Sequence, residues 1–223
     1  GVENGVLGVI VHADGTVALE ADGSLILEGA GFVATAQEVL LQYNDSVISY
    51  GAADGIDIDG DAVADFHFQA LSTDLEGVAV IGLQAQFDDF VTLAGDFAFG
   101  KLDGGIQVIA RDAQASVTAG DFSVGLRDGQ LGLLLRADGT KAMEASGSLY
   151  LEGGDFASMS ADQVQVRIND TGVAYTGTQL QVSGLAYTFV AMAAATDLQT
   201  IQVTNLLGSF ADVFELGGNI AFS

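Results

Sequence analysis

The stretch "DGIDIDGDAVADF", residues 54–66, places Asp57, Asp59, Asp61 and Asp65 at relative positions 1, 3, 5 and 9. Calcium takes six to eight hard oxygen ligands, and a tight loop with Asp at alternate positions turns several carboxylates toward one point. The expected chemistry is therefore cation binding, with calcium as the ion. The pattern is incomplete as a twelve-residue calcium loop. Ala62 stands where a Gly permits the sharp bend, and Phe68 stands where a bidentate Glu closes the site. The competing reading is an acidic solvated hairpin with Gly60 in its turn and Ile56 and Ile58 facing a core. A matching stretch further on, "QLQVSGLAYTF" (179–189), has no acid at all, so a calcium site would belong to the first stretch alone.

Other groups offer less. Asp88 and Asp89 in "FDDFVTL" read as a surface turn; Asp89 aligns with Asp212. His12 aligns with Arg136 and reads as a surface or rim position, and His67 in "DFHFQ" reads as structural. There is no Cys, which removes disulfides, thiol nucleophiles and Cys-based metal sites. No zinc spacing, nucleophile elbow, P-loop or dinucleotide fingerprint occurs. Paired carboxylates for glycoside hydrolysis are not excluded by so acidic a chain. Glu20/Glu144 and Glu28/Glu152, however, recur as pairs rather than marking one site, and read as strand-edge or inter-copy features. The expectation is that the chain is not an enzyme.

Those pairs belong to a longer duplication. "LGVIVHADGTVALEADGSLILEG" (7–29) returns as "LGLLLRADGTKAMEASGSLYLEG" (131–153). Residues 1–32 align with 125–156 without a gap at roughly 18 identities, and the period is about 124 residues. "YNDSVISY" (43–50) matches "INDTGVAY" (168–175), and residues 72–99 match 195–222. The reading is copy one over residues 1–100, lacking its first part, and copy two over 101–223. Because 101–124 have no counterpart before Gly1, this phase predicts further copies on the N-terminal side.

Within each copy the pattern is strand after strand. Leu131, Leu133 and Leu135 alternate with Gly132, Leu134 and Arg136. Asp14-Gly15 and Asp138-Gly139 read as two-residue hairpins, which would oppose Ile10 to Leu19 and Leu134 to Met143. Asn4-Gly5, Asp128-Gly129 and "NDTG" (169–172) read as further turns. "LSTDLEGVAVIGL" and "AMAAATDLQTI" come nearest to helical, holding at most a short turn or helix each. Several strands are partly apolar on both faces, which predicts a second covering layer. The absence of Pro agrees with long paired ladders. "GDF" recurs at Gly95, Gly120 and Gly154, hinting at a solenoid. The fold class expected is all-β, as antiparallel meander or sandwich repeats in tandem, elongated, with a β-solenoid as the alternative.

Composition narrows the partners. Thirty acids against six bases give a net charge of −24, so phosphates find no basic cluster. No run reaches the roughly 18 apolar residues of a membrane helix. Few aromatic girdle residues exist for an outer-membrane barrel, with no Trp and 5 Tyr.

The motif "L.ADGT.A..ASGS..LEG", with "VQVRINDTGVAY" and "FDDFVTLAGDFAF", resembles the long tandem repeats of giant bacterial surface proteins, adhesin-like or RTX-type. The resemblance covers nearly all of the chain, in both copies. It implies an extracellular, β-rich structural or adhesive module whose partners are neighbouring copies, with self-assembly into fibres and calcium as a stiffening ion. It supplies no catalytic residues. A lipid-binding β-groove is the rival reading, drawn from the two apolar strand faces and the positive mean hydropathy.

Overall fold

The fold is given by a computed structural model that describes residues 1–102, 104–211 and 213–223. It is all-β, and the described residues contain no helix. The stretches nearest to helical form strand and loop instead. Eleven long strands make one antiparallel sheet: β1 (Val2–Val11), β2 (Val17–Gly29), β3 (Phe32–Asn44), β8 (Leu75–Phe87), β9 (Val91–Leu102), β10 (Gly105–Ala119), β11 (Phe122–Leu135), β12 (Lys141–Gly153), β13 (Ala157–Asn169), β16 (Leu198–Phe210) and β17 (Phe214–Phe222). Each pairs with the next in chain order, so the sheet is a meander, and it is not closed into a barrel. Two inserts interrupt it after β3 and after β13. The first holds the short pairs β4 (Tyr50–Gly51) with β7 (Ala70–Leu71) and β5 (Gly55–Ile56) with β6 (Phe66–His67). The second holds the hairpin β14 (Gln179–Val182) with β15 (Leu185–Thr188). Its turn, Ser183-Gly184, has both residues at positive φ, as a two-residue hairpin requires.

The three GDF tripeptides occupy unlike places: Gly95 lies inside β9, while Gly120 and Gly154 lie in hairpin turns. They do not mark successive turns of a solenoid.

The DG hairpins differ from expectation by one residue. His12 N–H donates to Thr16 C=O and Gly15 N–H to His12 C=O, so the loop is Ala13-Asp14-Gly15 with Gly15 in the left-handed region. Such a three-residue loop ends in a left-handed Gly. It opposes Val9 to Leu19 and Ile10 to Ala18, and likewise Leu133 to Met143. A one-residue change of register exchanges faces. Leu19 therefore shares a face with Val9, and Ile10 lies on the opposite face with Ala18.

Asn4-Gly5 and Asp128-Gly129 are not turns. Both lie inside long strands, where the ladder slips by one residue beside Asn4, Asp112, Asp128 and Asn205, all at φ near +50°. An Asx residue in the left-handed region is tolerated by turns and by β-bulges alike, which is why the dipeptides misled. The bulges fall in one line across the sheet. Where a strand crosses that line unbulged it carries Gly: a Cβ on Gly147 would stand 2.6 Å from Leu126 and 3.1 Å from the Arg127 carbonyl. Each bulge also shifts the apolar alternation. In β10, Ile106, Val108 and Ala110 precede Asp112, and Ala113, Ala115 and Val117 follow on the same face. The Leu131/Leu133/Leu135 alternation is as expected, with Gly132 and Leu134 on the other face.

That other face carries the inserts. In the second, Phe189, Leu185 and Met192 are buried against Leu40, Ala79, Ala98, Ile109 and Ala142 of the sheet. In the first, Phe66, Phe68 and Leu71 cover Ala18 and Leu75. Each large side chain so buried contributes about 1.5–3 kcal/mol. Small sheet residues make room for the aromatics: a Cβ on Gly132 would stand 2.1 Å from the Tyr187 ring, and one on Gly8 would stand 2.2 Å from the Phe66 ring.

Candidate functional site

The polar centre of each insert is a carboxylate on the sheet floor. Glu20 and Glu144 lie two residues beyond Ala18 and Ala142 on the same face of β2 and β12, point under the insert, and are fully buried. Both strands lie inside the sheet, with neighbours on either side. The strand-edge reading of these residues is therefore corrected, and Glu28 and Glu152 share the same interior strands. Glu20 Oε1 accepts the Gln69 N–H at 2.8 Å and Oε2 accepts Gln42 Nε2 at 2.7 Å. Glu144 Oε2 accepts the Val190 N–H at 2.7 Å and the Tyr187 hydroxyl at 3.3 Å. Its Oε1 accepts Arg167 Nε at 3.0 Å and Gln165 Nε2 at 3.3 Å. In both places the backbone N–H comes from the residue after the insert's buried Phe, Phe68 or Phe189. That Phe meets the aromatic two residues earlier edge to face, at 5.1 Å for Phe66 and 5.6 Å for Tyr187. Burial, then the Glu144 charge, push the Tyr187 phenol far above its ordinary pKa, so it remains a donor.

A second fastening lies at the end of β3 and of β13. Asn44 Nδ2 donates to Ile48 C=O at 2.8 Å and Ser72 C=O at 3.0 Å, and its Oδ1 accepts the Ser46 N–H and hydroxyl. Asn169 repeats this with Val173 C=O, Ala193 C=O and Thr171. The next residue extends the ladder by its side chain. Asp45 Oδ1 accepts the Val17 N–H at 2.6 Å, and Asp170 accepts the Lys141 N–H and, at 2.9 Å, its ammonium. The Lys141 backbone N–H first, then its side chain, hold the Asp170 carboxyl below the ordinary Asp value. The "ND[ST]" stretch is a turn, as the sequence indicates, and its Asn clips both ends of the insert. With their oxygens accepting from backbone and side-chain donors, these groups hold each insert to the sheet.

The Asp loop joins β5 to β6 on the outside of the first insert. Oxygens of Asp57, Asp59 and Asp61 come within 4.8 Å of one another, and all three residues are exposed. They also order the loop: Asp57 accepts from Gly60 N–H at 2.7 Å and Ala62 N–H at 2.9 Å, and Asp61 from Val63 N–H at 2.8 Å. Asp65 does not join the three; its Oδ2 accepts the Ile58 N–H at 2.8 Å. Ala62 adopts φ of 67°, the conformation for which Gly is suited. Ile58 is exposed rather than facing the core, and Ile56 packs against it.

Asp88 lies in the turn between β8 and β9, as expected, and donates its N–H to Gly31 C=O at 2.7 Å. Asp212 lies outside the described residues. His12 Nε2 meets the Tyr50 hydroxyl at 2.9 Å on the rim, and His67 is exposed.

The fastening residues were legible only as repetition. The Ala-x-Glu of residues 18–20 and 142–144 and the Asn-Asp of 44–45 and 169–170 recur in both copies, but nothing local distinguishes a buried Glu from a solvated one. The described residues contain no helix long and apolar enough to cross a membrane. In comparisons with protein families, curated proteins and solved structures, the chain matches no family model, no curated protein and no solved structure.

Proposed function

We propose that the chain is a structural repeat module of a long extracellular surface protein, an adhesin stalk or fibre, with calcium held at Asp57, Asp59 and Asp61. One observation carries this reading. The same succession, three strands, a fastened insert and two strands, occurs twice and joins into one sheet through the full-length pairing of β9, β10 and β11. Such a scheme grows by adding strands along one axis, and contacts between neighbours dominate it as in other repeat arrays. The outer strands β1 and β17 each carry an unpaired ladder edge, to which a neighbouring copy can add. The buried polar groups support the same reading, since they fasten inserts to the sheet.

Location is tested by antibody raised to this chain. It should decorate intact source cells and fibres projecting from them; labelling only after lysis overturns the reading. The ion is tested by calorimetric titration of calcium into the wild type and into Asp57→Asn/Asp59→Asn. Heat lost in the variant supports the site, and equal heats refute it.

A second reading, a lipid-handling surface, draws on the sheet face away from the inserts, which is apolar and includes a hollow of about 380 Å³ lined by Phe97, Ala110, Leu131, Ala145, Gly147 and Val166. Co-purified lipid, detected by mass spectrometry, would support it.

A further inference from the structure

The sheet has two unlike faces. One carries the inserts and the acids, and the other is bare. The registers place Leu41, Val78, Phe99, Val108, Leu133 and Met143 in a single row on the bare face, each opposite the next across successive strands. Because each bulge shifts the alternation by one residue, this face stays apolar beyond the bulge line, as with Val117 and Val124. Its side chains are half open to solvent: Phe99 is 50%, Leu41 48% and Phe222 62% exposed. Among the large exposed hydrophobics of the long strands, only Val6, Val33 and Leu207 lie on the insert side.

The register-paired positions of the bare face carry little charge. Among the described strand residues that have register partners, only Glu76, Lys101 and Lys141 lie on it, all in its end row; Asp112, Asp128 and Asp162 sit in bulges outside the register. Each end-row charge is neutralised: Lys101 meets Glu76 at 2.8 Å, and Lys141 meets Asp170 at 2.9 Å. A chain of net charge −24 has thus kept the register-paired rows of this face free of unpaired charge.

The areas indicate what covers it. The accessible surface is 12373 Å² for 22.8 kDa. A compact monomer of this mass exposes about 9,600 Å². Eleven strands of some thirteen residues make a face of roughly 50 by 40 Å, or about 2,000 Å². Two such faces in contact bury an area within the 2,000–5,000 Å² of obligate homodimers.

We propose that the bare face is the interface of a homodimer, in which two copies pack apolar face to apolar face as a β-sandwich with inserts and acids outward. Face-to-face packing at about 10 Å is the ordinary way for a one-sided sheet to bury its apolar side. A second copy fits best for three reasons. The face is self-complementary, with Phe and Leu rows beside a hollow floored by Ala110, Ala113, Gly129 and Gly147. The arrangement separates the two acidic surfaces by the full thickness of the sandwich. It needs no basic partner surface, because the one acid among the register-paired positions of the bare face, Glu76, is already paired with Lys101. The proposal stands independently of where the protein works.

Sedimentation velocity over a wide concentration range tests it, with Val108→Lys in the middle of the face and Ser116→Lys on the other face as control. Circular dichroism checks that each variant is folded. The wild type and Ser116→Lys should be dimers, tightened by salt that screens the net charge. Val108→Lys should dissociate at least tenfold more readily. Should Val108→Lys fail to fold, spin labels on Val108→Cys and Ser116→Cys supply the geometry in a chain without other Cys. Close label pairs at 108 and distant ones at 116 support the sandwich. A wild type that stays monomeric throughout overturns it. So does a dimer that survives Val108→Lys but is lost with Leu7→Pro on edge strand β1. A folded monomer that binds phosphatidylcholine vesicles through this face also overturns it, in favour of lipid.

Discussion

Glu144 on strand β12 accepts the backbone N–H of Val190 at 2.7 Å, tying the sheet floor to an insert 46 residues away in sequence. Arg167 lies on the other side of the same carboxylate, with its side chain 17% exposed. Removing one partner of a buried ion pair costs more than the pair contributes, because the remaining charge is stranded. Glu144→Ala should destabilise by about 3 kcal/mol in urea unfolding. Glu144→Gln should cost less, since its carbonyl still accepts from Val190. In both variants the Val190 amide should exchange hydrogen faster than the wild type, which locates the loss at the insert.

Gln42 stands against Glu20 as Arg167 stands against Glu144. Its Nε2 donates to Glu20 and to Ala70 C=O at 3.1 Å, but its buried Oε1 has no partner among the described residues. An unsatisfied buried acceptor costs about 1–3 kcal/mol. Gln42→Arg removes that acceptor and gives Glu20 a cation, as in the other half of the chain. It should raise stability by about 1 kcal/mol, read as an upward shift of the melting temperature.

Gly132 lies beneath the Tyr187 ring. Gly132→Ala should destabilise by about 2 kcal/mol, because its Cβ meets the ring at 2.1 Å and the ring must leave its edge contact with Phe189. Gly15→Ala offers a contrast. There nothing lies within 4 Å but φ is +89°, so the cost should be about 1 kcal/mol and arise from the backbone alone. Near-ultraviolet dichroism of Tyr187 should change in the first variant only.

Two groups of acids should move stability with pH in opposite senses. Burial first, then the Glu38 charge, raise the Asp22 carboxyl above its ordinary value. A raised carboxylate favours the folded state only when protonated, so Asp22 costs stability at neutral pH, and the cost fades as pH falls through its raised value and is gone below about 4. Asp22→Asn should therefore melt higher than the wild type at pH 7, with the gap closing in acid. Asp170 is lowered by the Lys141 N–H, Asp14 by the Thr16 N–H, and Asp138 by the Thr140 hydroxyl. These contribute stability above about pH 4 that is lost as pH falls through their folded values. Asp170→Asn should melt lower at pH 7, and its deficit should shrink in acid.

Much of the fold was legible because its signals are local. Alternation in "LGLLLR" fixed the two faces of β11. The hairpin at Asp14-Gly15 was legible as a turn but not in length, and one residue of loop decides which face Leu19 occupies. Asn4-Gly5 and Asp128-Gly129 were legible as left-handed positions and not as bulges, since the local conformation is shared. Of the four Asp residues in the acidic loop, alternate spacing brought three together, while Asp65 turned to a backbone N–H of the same loop.

By itself the sequence determined that the chain is all β, that one phrase recurs in it, and that the chain turns at Asp14-Gly15 and Asp138-Gly139. These depend on neighbours within a few residues. Only the tertiary structure decided which apolar face is covered and that Glu20 and Glu144 are buried beneath inserts. Both outcomes depend on where a segment more than forty residues away folds back. A period of two presents both sides of a strand alike, and long-range packing alone makes one side a core and leaves the other bare.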